Sequence, residues 1–217
     1  MKTKKFLFYL LAALLGECVP VMSLHPLYTD KDLVFEEKLL GIWVDDANRP
    51  ETTWEFKEPN EQKKMCKLIF VDDEGKKGSF DVHLTKLQNK LFLDVYPSEP
   101  PWDKDDPNKV EWIYNTLFLV PFHTFIKINE IESQLKLQLT DDDGFKKLLE
   151  ENPGSVEHMS IENQPVLTAS TKELQAFVLK YADDKRLFTD ETVLIRKEPK
   201  VNVEPNDIDP NEALKKG

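Results

Sequence analysis

Residues 35–46 read FEEKLLGIWVDD. A charged, helix-like run gives way at Gly41 to Ile42-Trp43-Val44, a β-branched and aromatic triplet with strand character. A glycine at such a junction lets the chain change direction where a side chain would crowd the crossing. The segment therefore has the form of a short lid followed by the first strand of a small closed β-barrel.

The chain downstream repeats the strand signal at short intervals. TTWEFK sets Trp54 and Phe56 on one side, and KLIFV follows about ten residues later by residue spacing. VDDEGKKG, with Gly75 and Gly78, reads as a hairpin loop into SFDVHLTKL, where Phe80, Val82 and Leu84 alternate with Asp81, His83 and Thr85. QNK is a tight connection to LFLDVYP, and the proline-rich SEPPWDKDDPNK is a rim-like loop. IYNTLFLV, HTFIKINEI and QLKLQL complete the series, the last with Leu135, Leu137 and Leu139 on one face. Alternation of this kind gives each strand one buried and one wet face, and such a series closes as a barrel or folds as a sandwich.

The pattern changes after residue 140. TDDDGFKKLLEEN opens with Asp141, Asp142 and Asp143 and carries Phe145, Leu148 and Leu149 at helical spacing, a short helix with acidic residues at its positive end. Ser170 and Glu173 form a capping-box pair ahead of an apolar stripe of Leu174, Phe177, Val178 and Tyr181. TVLIRK returns to strand character, and EPKVNVEPNDIDPNEALKKG is polar and proline-punctuated.

The 217 residues suffice for one sizeable core, and a hydrophobic fraction of 40% with 13 Phe allows it to be packed. The formal charge of -11 excludes nucleic acid as a partner class, because phosphate binding needs a surplus of Lys and Arg. At the N-terminus, MKTKK followed by FLFYLLAALL has the basic and apolar regions of a signal peptide and is too short to span a bilayer. Export is the expectation. Three endings stay open. Cys18 in LLGECVPV stands where a lipoprotein carries its lipidated cysteine, although Glu17 replaces the small residue that normally precedes it. Ordinary cleavage after Cys18 or after Ser23 is the alternative. Cys66, alternating with Leu68 and Phe70, reads as a small core residue, and a Cys18–Cys66 bridge is a minor option.

A helical turn entering Gly-x-Trp, about eight meandering strands, an amphipathic helix and one last strand: this order, over roughly residues 33–197, resembles the lipocalins. The resemblance implies that Trp43 closes the narrow end of the barrel, that Gly41 shapes its entry, and that Arg196 of the final strand packs across the Trp43 ring. The chain departs from the family in lacking its disulfides and in the length of segment 141–169. The stretch from SLHPLYTDKDLVF through LTASTKELQAFVL is also similar to uncharacterised exported bacterial proteins, which implies no activity.

Reaction chemistry is sparsely marked. There is no Gly-x-Ser-x-Gly elbow, His-Glu-x-x-His, phosphate-cradling glycine loop or Cys-x-x-Cys pair. His25, His83, His123 and His158 are scattered singly and read as isolated surface residues; two of them on strands could meet, but zinc needs further ligands. Asp141 to Asp143 lack the bidentate Glu that calcium takes and are explained by helix capping, while Asp103, Asp105 and Asp106 in the long loop are a minor calcium option. The sequence thus assigns no catalytic residue, cofactor or metal ligand.

The expected organisation is a signal peptide over 1–23, a mainly β lipocalin-like barrel domain over 24–197 with a C-terminal amphipathic helix and a short extra helix, and a disordered tail over 198–217. The expected function is non-enzymatic: an exported protein of the cell envelope (periplasm, or membrane-anchored through Cys18) or secreted, holding a small apolar or amphipathic molecule. The alternative is an envelope module with a filled barrel that binds a protein partner. A hydrolase ranks last.

Overall fold

A computed structural model describes residues 20–45, 52–60, 64–98 and 120–197. The apolar N-terminal run, Cys18, the acidic loop with Asp103, Asp105 and Asp106, most of IYNTLFLV and the tail over 198–217 lie outside these residues.

Eight strands form a closed antiparallel barrel: β2 (Gly41–Val44), β3 (Thr53–Asn60), β4 (Met65–Val71), β5 (Lys77–Leu87), β6 (Lys90–Pro97), β7 (Thr124–Ile131), β8 (Gln134–Leu139) and β11 (Thr192–Arg196). Seven are consecutive. The eighth place is taken by β11, which pairs with β8 through Leu194↔Leu135 and with β2 through Arg196↔Trp43. β6 pairs directly with β7 through Leu93↔Ile126. A three-stranded sheet stands beside the barrel: β1 (Met22–Ser23) runs parallel to β10 (Gln164–Leu167), which forms a hairpin with β9 (His158–Ile161). β1 and the buried Val21, both ahead of residue 24, pack with the rest of the described residues.

The strand alternation sorts side chains into two cores. Val82, Leu84, Leu93, Leu135 and Leu137 point inward with Trp43, Trp54, Phe56 and Phe70, and Phe80, Leu91 and Leu139 pack against them. The opposite face of β5–β7 is not wet. Leu87, Phe92 and Phe125 meet Phe145, Leu148 and Leu149 of α1 (Asp142–Glu151) and Leu174, Phe177 and Val178 of α2 (Thr171–Lys180). Local chemistry starts both helices. Asp141 accepts the Gly144 N–H (2.8 Å), and Glu173 accepts both the Ser170 N–H (3.1 Å) and the Ser170 hydroxyl (2.6 Å). The acidic triplet is therefore occupied in starting a helix, with Asp142 paired to Lys146 at 2.7 Å.

Where the outer core meets water, Asp183 joins the two layers. Its carboxylate accepts from Lys90 (2.8 Å) and from the nearly buried Lys127 (2.9 Å), which also donates to the Ala182 carbonyl. These hydrogen bonds, from Lys90 and then Lys127, hold the Asp183 carboxyl down at about 2.

Neighbouring β8 positions test the two faces. Leu137 is fully buried in the barrel, whereas Lys136 is part-exposed and paired with Glu130. Leu137→Ala is expected to cost about 2–5 kcal/mol in denaturant unfolding, and Lys136→Ala less than about 1 kcal/mol. Equal losses at the two positions would contradict the assignment of faces.

Candidate functional site

One end of the barrel is built around residues 36–43. The backbone forms a 3-10 turn over Glu37–Leu39, which puts Leu39 into the interior cluster, and the Trp43 indole N–H donates to the Leu39 carbonyl at 2.8 Å. Arg196 lies over the Trp43 ring, its guanidinium carbon 4.3 Å from the ring centroid. The same guanidinium donates to the Leu40 carbonyl (2.6 Å) and to the Lys38 carbonyl. It thereby ties the last strand to the turn that precedes the first barrel strand. Gly41 has φ +116°, and a Cβ there would fall 2.6 Å from the Arg196 Nη1. Any other residue would be strained and would also displace the cation. The three residues singled out in the sequence, Gly41, Trp43 and Arg196, therefore meet in one contact set.

The side-chain cluster beyond this end is apolar. Trp54 pairs with Trp43 across β2–β3 and packs edge-on against Phe70, ring centroids 5.2 Å apart. Its indole N–H is buried and, unlike that of Trp43, has no hydrogen-bond partner. Buried Trp N–H groups usually find an acceptor, so this one stands out. Cys66 is buried and burial pushes its thiol up, so it remains an unreactive core residue.

A second constellation lies on the outer wall. Residues 20–34 fold back along β5–β7: Val34 donates to the Leu84 carbonyl (2.9 Å), Lys86 to that of Asp32 (2.8 Å), and Ser23 and His123 exchange two backbone bonds of 2.9 Å. Under this lead, the fully buried Asp94 accepts the Leu27 N–H at 2.7 Å and meets His123 Nδ1 at 2.6 Å. Tyr96 packs on the His123 ring, and Tyr28 stacks on His83 with its hydroxyl 3.3 Å from Nε2. Burial first, then the charges of Asp94, Asp30 and Asp81, pushes the Tyr28 hydroxyl up to about 12, so it stays protonated.

His83 and His123 are thus not the isolated surface residues expected. Each packs against a tyrosine, His83 against Tyr28 of the covering lead and His123 against Tyr96 of β6. Asp94 was not singled out either. The signal for it is that LFLDVYP is apolar on both faces at Phe92, Leu93 and Val95, so an Asp within it needs buried partners. Ser23, His123 and Asp94 are neighbours, but the Ser23 hydroxyl donates to the His25 carbonyl at 2.8 Å and is fully buried. That is not the nucleophile–base contact of an acyl-transfer site. His158 is bound to its own neighbourhood, Nδ1 lying 3.0 Å from the Val156 carbonyl. Among the described residues no group of three or more His, Cys, Asp or Glu could hold a metal ion, and no helix is long and apolar enough to cross a membrane. Comparisons with protein-family models, curated proteins and solved structures find no match to the chain.

A double-mutant cycle of Trp43→Phe with Arg196→Met, followed by denaturant unfolding, should give a coupling above about 0.5 kcal/mol. Additive losses would mean that the stack contributes nothing. On the outer wall, Asp94→Asn removes the buried charge and leaves one acceptor oxygen where the Leu27 N–H and the His123 ring now each have their own. A loss of about 1–3 kcal/mol is expected. A variant as stable as the parent would remove Asp94 as the tie between lead and barrel.

Proposed function

We propose that the protein is an exported, lipocalin-like binding protein, without enzymatic activity, that holds a small apolar or amphipathic molecule in its barrel. The observation that carries the ligand reading is the Trp54 N–H, which has no partner among the described residues and sits against the apolar cluster of the barrel interior. Leaving a buried donor unmatched costs about 1–3 kcal/mol, a cost that the polar end of an amphipathic guest offsets. Eight-stranded barrels have room for one small ligand or for packed side chains alone. The lipocalin-like reading draws further support from the Gly41, Trp43 and Arg196 contacts at one barrel end. The export reading draws on the basic and apolar regions of residues 1–15, and anchoring through Cys18 belongs to the same proposal.

A second reading has its own observation. Trp43, Leu93, Leu135, Leu137 and Leu194 are fully buried within one contiguous inward cluster, which favours a barrel filled by its own side chains and acting as an envelope module for a protein partner.

Titration with a long-chain alcohol and with an alkane of equal length separates the two, read by tryptophan fluorescence. The ligand reading expects the alcohol to bind about five- to tenfold more tightly, a difference that Trp54→Phe abolishes. It also expects an apolar molecule in the organic extract of the purified protein. An empty extract and no binding of either probe would establish the filled barrel instead.

A further inference from the structure

Resting on the export reading above, we infer that the peptide bond hydrolysed on export lies ahead of Val21, within residues 16–20, and that the mature chain keeps Val21–Ser23. Sequence patterns alone leave a cut after Ser23 open, since a small residue stands there. The fold argues against it at four positions. Val21 is 1% exposed within the outer core, beside Leu167, and its N–H donates to the Thr140 hydroxyl at 3.1 Å. Met22 and Ser23 are the parallel partners of Val166 and Leu167, so β1 covers one edge of β10. Ser23 is fully buried and exchanges two backbone bonds with His123, linking the small sheet to the barrel at the head of β7. Leu24 continues the ladder through the Leu167 carbonyl at 3.0 Å.

Hydrolysis of the Ser23–Leu24 bond would add water across it, leaving a carboxylate on the departing Ser23 and an ammonium on Leu24. The departing segment would take Val21 out of the outer core and leave both His123 backbone groups, the Thr140 hydroxyl and the β10 edge without their present partners. The new ammonium would lie at the Leu167 carbonyl, beside the buried Ser23 position. A cut at any bond within residues 16–20 disturbs none of this, because every one of these contacts is made by Val21 or a later residue.

The full chain, expressed in an export-competent host, is tested by the mass of its mature N-terminus. A start at residues 17 to 20, with or without a diacylglycerol adduct on Cys18, supports the inference. A folded mature protein starting at Leu24 overturns it and leaves export standing, whereas an intact Met1 overturns the export reading itself and the inference with it. A pair of chains over 19–217 and 24–217 tests the structural basis separately. The shorter chain is expected to lose its cooperative thermal transition or to melt at least about 10 °C lower, and Val21→Ala in the longer chain to melt about 5 °C lower. Equal midpoints in all three would overturn the inference.

Discussion

Closure of the sheet by β11 is the constraint on which the rest of the molecule depends. Seven consecutive strands make a curved sheet with two open edges, and open edges invite pairing with other chains. β11 satisfies both at once, pairing with β8 on one side and β2 on the other. It can do so only after the chain has passed through both helices and the small sheet, so the barrel is completed by contacts between residues about 150 apart in sequence (Arg196 with Trp43). Arg196 reinforces the closing strand at its end, where one guanidinium both covers an indole and binds two carbonyls of the turn before β2. The glycine at 41 leaves room for that cation, so the sequence cost of closure is concentrated in three residues.

The outer wall obeys a different rule. In a freestanding barrel the outward face of β5–β7 would be polar, yet here Phe92 and Phe125 are buried and Lys127 nearly so. The residues after β8 supply the cover: α1, α2 and the β9–β10 hairpin, joined by β1 from the other end of the chain. Two polar groups trapped under this cover have partners that tie the layers together. Asp94 answers Leu27 and His123, and Asp183 with the Ala182 carbonyl answers Lys127. A buried ion or donor is expensive without such partners, so the polar residues fix where the covering segments sit. The Trp54 N–H, facing the barrel interior, has no such partner among the described residues, which is why it bears on the ligand question.

The period-two alternation of SFDVHLTKL and QLKLQL determined which side chains face the barrel interior, and the Ser170–Glu173 and Asp141 signals determined where helices begin, because both depend on local geometry alone. Gly-x-Trp and a distant Arg marked the closing contact. Only the tertiary structure decided the order of closure, since β6 and β7 are neighbours despite the long segment between them and β11 takes the eighth place. Only the tertiary structure joined Asp94 to Leu27 and His123, contacts that span 67 and 29 residues and follow no period. It also joined Val21–Ser23 to the folded body, because burial and strand pairing belong to the partners a residue meets, and those partners, Thr140, Leu167 and His123, lie a hundred residues or more away in sequence.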